Sequence, residues 1–148
     1  MARHSQQAPH LMKKWLCVLL AAAGCNLASD TGDDRPATLE FVTEAILKPS
    51  CGTAECHSAL KAERNLVFDS VAGARKTINT TPPDLVIRCA DLQEPFPCNN
   101  DALNNSYLFQ AIDDKDRHGN RMPFDQALSN KDIVLIRTWI LDDAPGLE

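Results

Sequence analysis

The stretch Cys51-Gly52-Thr53-Ala54-Glu55-Cys56-His57 places two thiols in one short segment and an imidazole directly after the second thiol. Two thiols this close can form a disulfide, which would leave His57 as an ordinary surface residue. They could also bind zinc, but a structural zinc site needs four ligands, and His57 and His118 are the only histidines after residue 24. A third use of this set of side chains is the covalent attachment of a haem.

Haem attachment requires two thiols and an adjacent histidine in this order. The thiols add to the vinyl groups of the haem, and the side chain after the second thiol turns toward the iron. The usual spacing is C-x-x-C-H, and this chain has two further residues between the cysteines. The sequence therefore predicts that Cys51 and Cys56 attach the haem and that His57 binds its iron.

A haem iron that carries electrons usually has a second axial ligand, often a methionine. Met122 is the only methionine after residue 24, and it precedes Pro123 in a polar stretch. Pro123 favours an extended backbone at Met122, which helps to hold a sulfur atom in place. We predict Met122 as the second ligand, with His118 as the alternative.

The N-terminal residues are typical of an export signal. Lys13 and Lys14 precede an apolar run from Trp15 to Ala23 that is too short to span a membrane. The small residues before Cys25 are similar to those that precede the lipidated cysteine of bacterial lipoproteins, although Ala22 stands where leucine is usual.

We therefore predict a signal peptide at residues 1–24, lipidation at Cys25 and a flexible tether at residues 25–37. The protein would be exported, facing the periplasm or anchored in the outer membrane through its lipid. The alternative is an ordinary cleaved signal peptide, with Cys25 left as a spare thiol.

The charge of the exported part excludes one class of partner. Loss of residues 1–24 removes three basic and no acidic residues, which changes the formal net charge from −5 to −8. An acidic surface repels the phosphates of nucleic acids. It would suit a basic protein partner, or it would simply keep the protein soluble.

The other two cysteines after residue 25, Cys89 and Cys98, flank a segment with Pro95 and Pro97 and have no ligand-like neighbours. We predict a local disulfide between them, which would stabilise the fold by about 2–3 kcal/mol. On this interpretation residues 79–105 form a surface insertion held by the disulfide.

Three helices are predicted around these sites. Thr38 can cap a helix over about Leu39–Leu47 that ends at Pro49. A short helix over about Ser106–Ile112 would face inward through Tyr107, Leu108 and Ile112. A terminal helix opens with a capping box at Ser129 and carries an apolar stripe of Ile133, Ile136 and Ile140.

This order of elements resembles the single-haem cytochromes c, in particular the cytochrome c-like lipoproteins of some environmental bacteria. The resemblance covers about residues 39–145, and its matching stretches are Ile46-Leu47, Cys56-His57, Asn65–Asp69, Met122-Pro123 and Trp139-Ile140. The closing Gly-Ala of the family appears here as Asp143-Ala144.

The resemblance implies an all-α fold, with residues 38–148 forming a small cytochrome c-like domain and residues 79–105 inserted as the disulfide-pinned loop. Its first and last helices would cross near the haem edge and bring Phe41 toward Trp139. It also implies haem c with its iron between His57 and Met122, and electron transfer with a redox protein rather than enzymatic catalysis.

The alternative is a structural or binding lipoprotein with the same helical fold, no haem, and disulfides Cys51–Cys56 and Cys89–Cys98. A hydrolase is a distant third possibility, because the chain after residue 24 contains neither a G-x-S-x-G nor an H-E-x-x-H motif.

Overall fold

The computed structural model describes residues 33–80, 84–92, 100–113 and 121–148, all within one compact unit. Over these ranges the regular structure is helical and contains no strand, which confirms the all-α prediction for this part of the chain. None of the helices in these ranges is long and apolar enough to cross a membrane. The predicted signal peptide, Cys25 and most of the tether lie outside the described residues.

The first helix covers residues 39–50 in three consecutive parts: α1 (Leu39–Val42), a π-helical turn (Thr43–Leu47) and α2 (Lys48–Ser50). Its predicted cap is confirmed, since the Thr38 hydroxyl accepts a hydrogen bond from the Phe41 amide at 3.3 Å. The helix extends past the predicted end at Pro49. Pro49 lies in the first turn of α2, where a residue without an N–H is tolerated.

The last helix, α7 (Asn130–Leu141), begins as predicted. The Ser129 hydroxyl accepts a hydrogen bond from the Asp132 amide at 3.2 Å. The stripe is broader than predicted, because Leu135 and Trp139 are buried with Ile136 and Ile140, whereas Ile133 is only partly buried.

The first helix and α7 contact each other and form the centre of the core. Phe41 is partly buried against this core, and its predicted approach to Trp139 stays a prediction. The backbone after α7 completes the contact: the Pro145 carbonyl accepts hydrogen bonds from the Leu39 amide at 3.0 Å and from the Trp139 indole at 3.1 Å.

The chain leaves α7 through a left-handed residue, Asp143, with φ of 67°. The Asp143 amide donates to the Ile140 carbonyl at 3.2 Å, and the Ala144 amide donates to the Trp139 carbonyl at 2.9 Å. This is the hydrogen-bond pattern of a Schellman helix end, at which glycine is the usual left-handed residue. Asp143 occupies that position here.

Helix α3 (Val71–Thr80) follows the loop after His57 and was not predicted. It contains Gly73 and several β-branched residues, which weaken the helical signal. A local signal was nevertheless present, since the Ser70 hydroxyl accepts a hydrogen bond from the Gly73 amide at 3.2 Å and so caps the helix.

Helix α6 (Tyr107–Ile112) confirms the short helix predicted in this region. Leu108, Ala111 and Ile112 are buried, but Tyr107 is 43% exposed, so its predicted inward orientation is wrong. Positions i, i+3 and i+4 share one face of a helix. The inner face that contains Leu108 therefore excludes Tyr107.

The prediction that residues 79–105 form a surface insertion is wrong for the described part of this segment. Leu85, Val86 and Leu103 lie in the main core, and α4 (Cys89–Leu92) and α5 (Asn100–Asn105) are helical. These apolar side chains are withdrawn from water because the rest of the helical bundle offers them a surface to pack on.

A buried hydroxyl joins the two sides of this segment. The Ser106 hydroxyl accepts a hydrogen bond from the Ile87 amide at 2.9 Å and donates one to the Ala102 carbonyl at 2.7 Å. Cys89 is buried and disulfide-bonded. Its predicted partner, Cys98, lies outside the described residues, so the Cys89–Cys98 pairing stays a prediction.

Candidate functional site

The cysteine–histidine motif begins where the first helix ends. The amides of Cys51 and Gly52 both donate to the Leu47 carbonyl, at 2.7 and 2.8 Å. The chain then folds into a tight turn in which the Cys56 amide donates to the Thr53 carbonyl at 3.0 Å and the His57 amide donates to the Cys51 carbonyl at 3.0 Å. The four residues between the cysteines thus form a compact turn, which brings the backbone of His57 next to that of Cys51.

The two thiols of the motif are both free. The disulfide Cys51–Cys56 of the alternative interpretation is therefore not formed in this structure. Cys51 is buried, and burial, with a smaller contribution from the neighbouring Cys56, raises its pKa to about 12. At neutral pH Cys51 is a protonated thiol, whereas Cys56 is exposed to solvent.

The imidazole of His57 is oriented by a backbone carbonyl. Its Nδ1 lies 3.0 Å from the carbonyl oxygen of Glu63. A carbonyl oxygen can only accept a hydrogen bond, so Nδ1 carries the hydrogen and, in the neutral ring, Nε2 carries the free lone pair. A histidine that binds a metal typically has this arrangement, with its other ring nitrogen bound to a carbonyl or carboxylate.

The His57 ring also contacts an aromatic ring. Its centroid lies 5.7 Å from that of Phe68, and the two planes are inclined by 73°, in an edge-to-face arrangement. The Phe68 amide donates to the His57 carbonyl at 2.6 Å. His57 is therefore held on both its ring and its backbone.

The loop that carries the Glu63 carbonyl has an unusual backbone. Ala62, Arg64 and Asn65 have φ values of 44°, 54° and 63°. This left-handed region costs residues such as alanine and arginine about 1–2 kcal/mol, whereas asparagine adopts it more readily. The Glu63 amide donates to the Cys56 carbonyl at 3.2 Å, and the Asn65 amide donates to the Ala62 carbonyl at 2.7 Å. In this loop the amide of Glu63 bonds to Cys56 and its carbonyl lies beside His57.

Gly52 permits a close approach between the motif and residues 66–69. A Cβ atom at Gly52 would lie 2.7 Å from the backbone carbon and oxygen of Phe68 and from the amide nitrogen of Asp69. Backbone atoms cannot move aside as a flexible side chain can. The motif therefore requires glycine at this position.

Met122 lies on a separate loop, before α7. It is partly buried, and its amide donates to the Ala111 carbonyl at 2.7 Å, which attaches the loop to α6. The structure thus brings Cys51, Cys56 and His57 together in one turn and places Met122 on another element. His118, the alternative ligand, lies outside the described residues.

Two large apolar side chains are exposed close in sequence to the predicted iron ligands. Leu60, three positions after His57, is 90% exposed, and Phe124, two positions after Met122, is 68% exposed. Single exposed apolar residues are common on protein surfaces. These two differ from the ordinary case in that each belongs to the loop of a predicted ligand.

Other kinds of site find little support in the described residues. They contain no group of three or more histidine, cysteine, aspartate or glutamate side chains that could hold a metal ion. Two open clefts, of about 690 and 470 Å³, are lined by neither the motif residues nor Met122.

Comparisons with protein-family models, with curated proteins and with solved structures find no match to this chain. The resemblance to cytochromes c therefore depends on the motifs of the chain itself.

Sequence reasoning missed two contributors to the site. Glu63 acts through its backbone carbonyl, which leaves no signal in the identity of the side chain. Gly52 does not have a left-handed φ, so no turn pattern indicates a need for glycine. The need arises from its close contact with the backbone of Phe68 and Asp69, which are distant from it along the chain.

Proposed function

We propose that this protein transfers electrons through a covalently bound c-type haem, attached by Cys51 and Cys56, with His57 and Met122 as ligands of the iron. The observation that carries the proposal is the hydrogen bond from His57 Nδ1 to the Glu63 carbonyl. It fixes the tautomer in which Nε2 is available to a metal, directly after the second of two free thiols.

The donor set fits this cofactor. Thioether bonds form from reduced thiols, and both cysteines of the motif are free. Their turn begins at the end of the first helix, whose inner face packs in the core, and this gives the attachment point a rigid support. When bound, the haem would supply an iron that cycles between the ferric and ferrous states without transformation of a substrate.

The exposed apolar side chains add a second argument. Leu60 and Phe124 lie in the loops of the two proposed ligands and expose 90% and 68% of their surface. Burial of apolar surface stabilises by about 25 cal/mol per Å². A large apolar cofactor held by His57 and Met122 would reduce that exposure.

The proposal extends to the setting of the protein. A signal peptide at residues 1–24 and a lipid on Cys25 would place the domain outside the cytoplasm, where covalent haem attachment takes place in bacteria. The formal charge of −8 after residue 24 favours a basic redox protein as its partner. A nucleic acid partner is disfavoured by the same charge.

The test is production of the full chain with its export signal, in bacteria that carry the machinery for cytochrome c maturation. We expect a visible spectrum with sharp bands on reduction, and a haem stain that persists on a denaturing gel. The double variant Cys51→Ser/Cys56→Ser should lose the stain. Cys25→Ser, which removes the proposed lipid, should keep it.

A colourless, folded protein would contradict the proposal. The alternative of a haem-free structural or binding lipoprotein would then be preferred. Mass spectrometry of the cysteines would test it further, since that alternative requires Cys51 and Cys56 to be joined in a disulfide.

A further inference from the structure

Residues 66–69 form a non-helical segment between the loop that follows His57 and helix α3. On one side Phe68 contacts His57 through its amide, at 2.6 Å from the His57 carbonyl, and through its ring, at 5.7 Å from the imidazole. Phe68 is only 2% exposed. The position of this segment therefore determines the surroundings of His57.

The side chain of Thr77 joins the segment to α3. The Thr77 hydroxyl accepts a hydrogen bond from the Val67 amide at 3.0 Å and donates one to the Val67 carbonyl at 3.2 Å. Thr77 is 4% exposed, so both bonds form away from solvent. A hydroxyl inside a helix often bonds to the carbonyl one turn earlier, but this one bonds to another segment.

The segment is fastened a second time, to the residues just after His57. Oδ2 of Asp69 accepts a hydrogen bond from the Ala59 amide at 2.6 Å. Bonds to a charged acceptor are among the stronger hydrogen bonds of proteins. Residues 68 and 69 thus hold His57 itself, through Phe68, and the chain just after it, through the bond of Asp69 to Ala59.

We infer that Thr77 and Asp69 are positioning residues for His57: through residues 66–69 they hold the imidazole against the Glu63 carbonyl in the Nδ1–H tautomer. The inference rests on the proposed function for its purpose, since a fixed tautomer presents Nε2 to the haem iron. The hydrogen bonds of both side chains go to other groups than the imidazole, so both act through the backbone of the segment.

The experiment measures the tautomer directly. The full chain is exported in bacteria that lack the machinery for cytochrome c maturation, so that Cys89 keeps its disulfide and no haem is attached. The nitrogen shifts of the imidazoles are recorded by NMR, with His57→Gln to assign the signals. Thr77→Val removes both hydrogen bonds at nearly constant volume. We expect the ratio of the Nδ1–H to the Nε2–H tautomer of His57 to fall about fivefold. This change corresponds to loss of the bond between Nδ1 and the Glu63 carbonyl, if that bond has the ordinary net strength of a hydrogen bond.

Matched variants separate positioning from general destabilisation. Thr77→Ser keeps the hydroxyl and should keep the tautomer ratio. Ile78→Val lies next to Thr77 on the same helix, is buried, and should lower stability without change in the ratio. Asp69→Ala should lower the ratio in the same direction as Thr77→Val, and it decides the question if Thr77→Val does not fold.

An unchanged ratio in Thr77→Val and Asp69→Ala, or an equal fall in Ile78→Val, would overturn the inference. The result does not depend on haem. A colourless protein after maturation would contradict the proposed function whatever the tautomer does, and an unchanged tautomer ratio would contradict the positioning role even in a protein that attaches haem.

Discussion

The Nδ1 nitrogen of His57 and the carbonyl oxygen of Glu63 lie 3.0 Å apart. They are six positions apart in the chain, and Glu63 lies in a loop whose residues Ala62, Arg64 and Asn65 have left-handed backbone conformations. Unfavourable backbone conformations persist only where the surroundings hold them, and they are frequent at functional sites. Ala62 and Arg64, on either side of Glu63, carry this backbone cost.

The cost of that backbone can be measured at Ala62, whose φ is 44°. Glycine has no Cβ to clash in this conformation, so Ala62→Gly should stabilise the haem-free protein by up to about 1 kcal/mol. Ala59→Gly is the control, because Ala59 does not have a positive φ and should gain nothing. Urea denaturation measures both variants, and an equal loss of stability in the two would refute the expectation.

The close approach at Gly52 gives the opposite prediction. Gly52→Ala forces a methyl group to within 2.7 Å of the Phe68 and Asp69 backbone and should cost about 2–3 kcal/mol of unfolding free energy. Gly73→Ala would meet the side chains of Val67 and Ser70 instead. It also gains about 1 kcal/mol of helix propensity, so its loss should be clearly smaller. Thermal unfolding of both variants would show whether that order is reversed.

The two thiols of the motif should differ in reactivity. Cys51 is buried with a pKa of about 12, so only about one molecule in 10,000 carries its thiolate at pH 8, and the thiolate is the reactive form. In the reduced, haem-free protein, iodoacetamide should modify the exposed Cys56 well before Cys51. Peptide mass spectrometry at successive times measures the order, and both should react at similar rates in denaturant. Equal rates in the folded protein would show that Cys51 is accessible.

A pH-dependent contribution to stability is expected at Arg35, which lies near the end of the predicted tether and contacts α7 through Asp132. Arg35 donates hydrogen bonds to Asp33, at 2.8 Å from Nε to Oδ1, and to Asp132, at 2.5 Å from Nη1 to Oδ1. The hydrogen bond from Arg35 lowers the pKa of Asp33 from 3.8 to about 2. A carboxylate with a lower pKa in the folded than in the unfolded state adds stability above the unfolded value and loses it as the pH falls toward the folded value.

Arg35→Gln should therefore lower the melting temperature at pH 5–7, and the difference from the unchanged protein should shrink between pH 4 and pH 2. The control is Lys48→Gln, which removes an exposed ion pair with Glu44 and should have little effect at any pH. Melting curves across this pH range provide the measurement. A difference that grows in acid would contradict the assignment.

The proposed second ligand can be tested once haem is attached. A methionine ligand raises the reduction potential of a haem relative to a second histidine. Met122→His should therefore lower the potential, and Met122→Ala should change the visible spectrum of the oxidised protein. His118→Ala should leave both unchanged. Redox titration and visible spectra of the three variants provide the measurement. If His118→Ala changed the potential and the spectrum while the Met122 variants did not, His118 would be the ligand.

Local patterns in the sequence predicted the elements that short-range forces determine. Thr38 and Ser129 each satisfy an amide within the next three residues, so their caps can be read without knowledge of the fold. The apolar spacing of Ile136 and Ile140 likewise follows from helical geometry alone. The same kind of prediction was wrong for Tyr107, in the first turn of α6. Adjacent residues of a helix point in different directions, so the face that buries Leu108 leaves Tyr107 exposed.

The amino-acid sequence by itself determined the helical class, the capped starts of the first and last helices, and the chemical set of two cysteines, a histidine and a methionine. Only the tertiary structure decided that Leu85, Val86 and Leu103 are core residues, that residue 52 must be glycine, and that the Glu63 carbonyl sets the tautomer of His57. The physical reason is the distance along the chain over which each interaction acts. Caps and apolar periodicity act within a few residues, whereas burial, close approach and a carbonyl acceptor depend on segments that only the folded chain brings together.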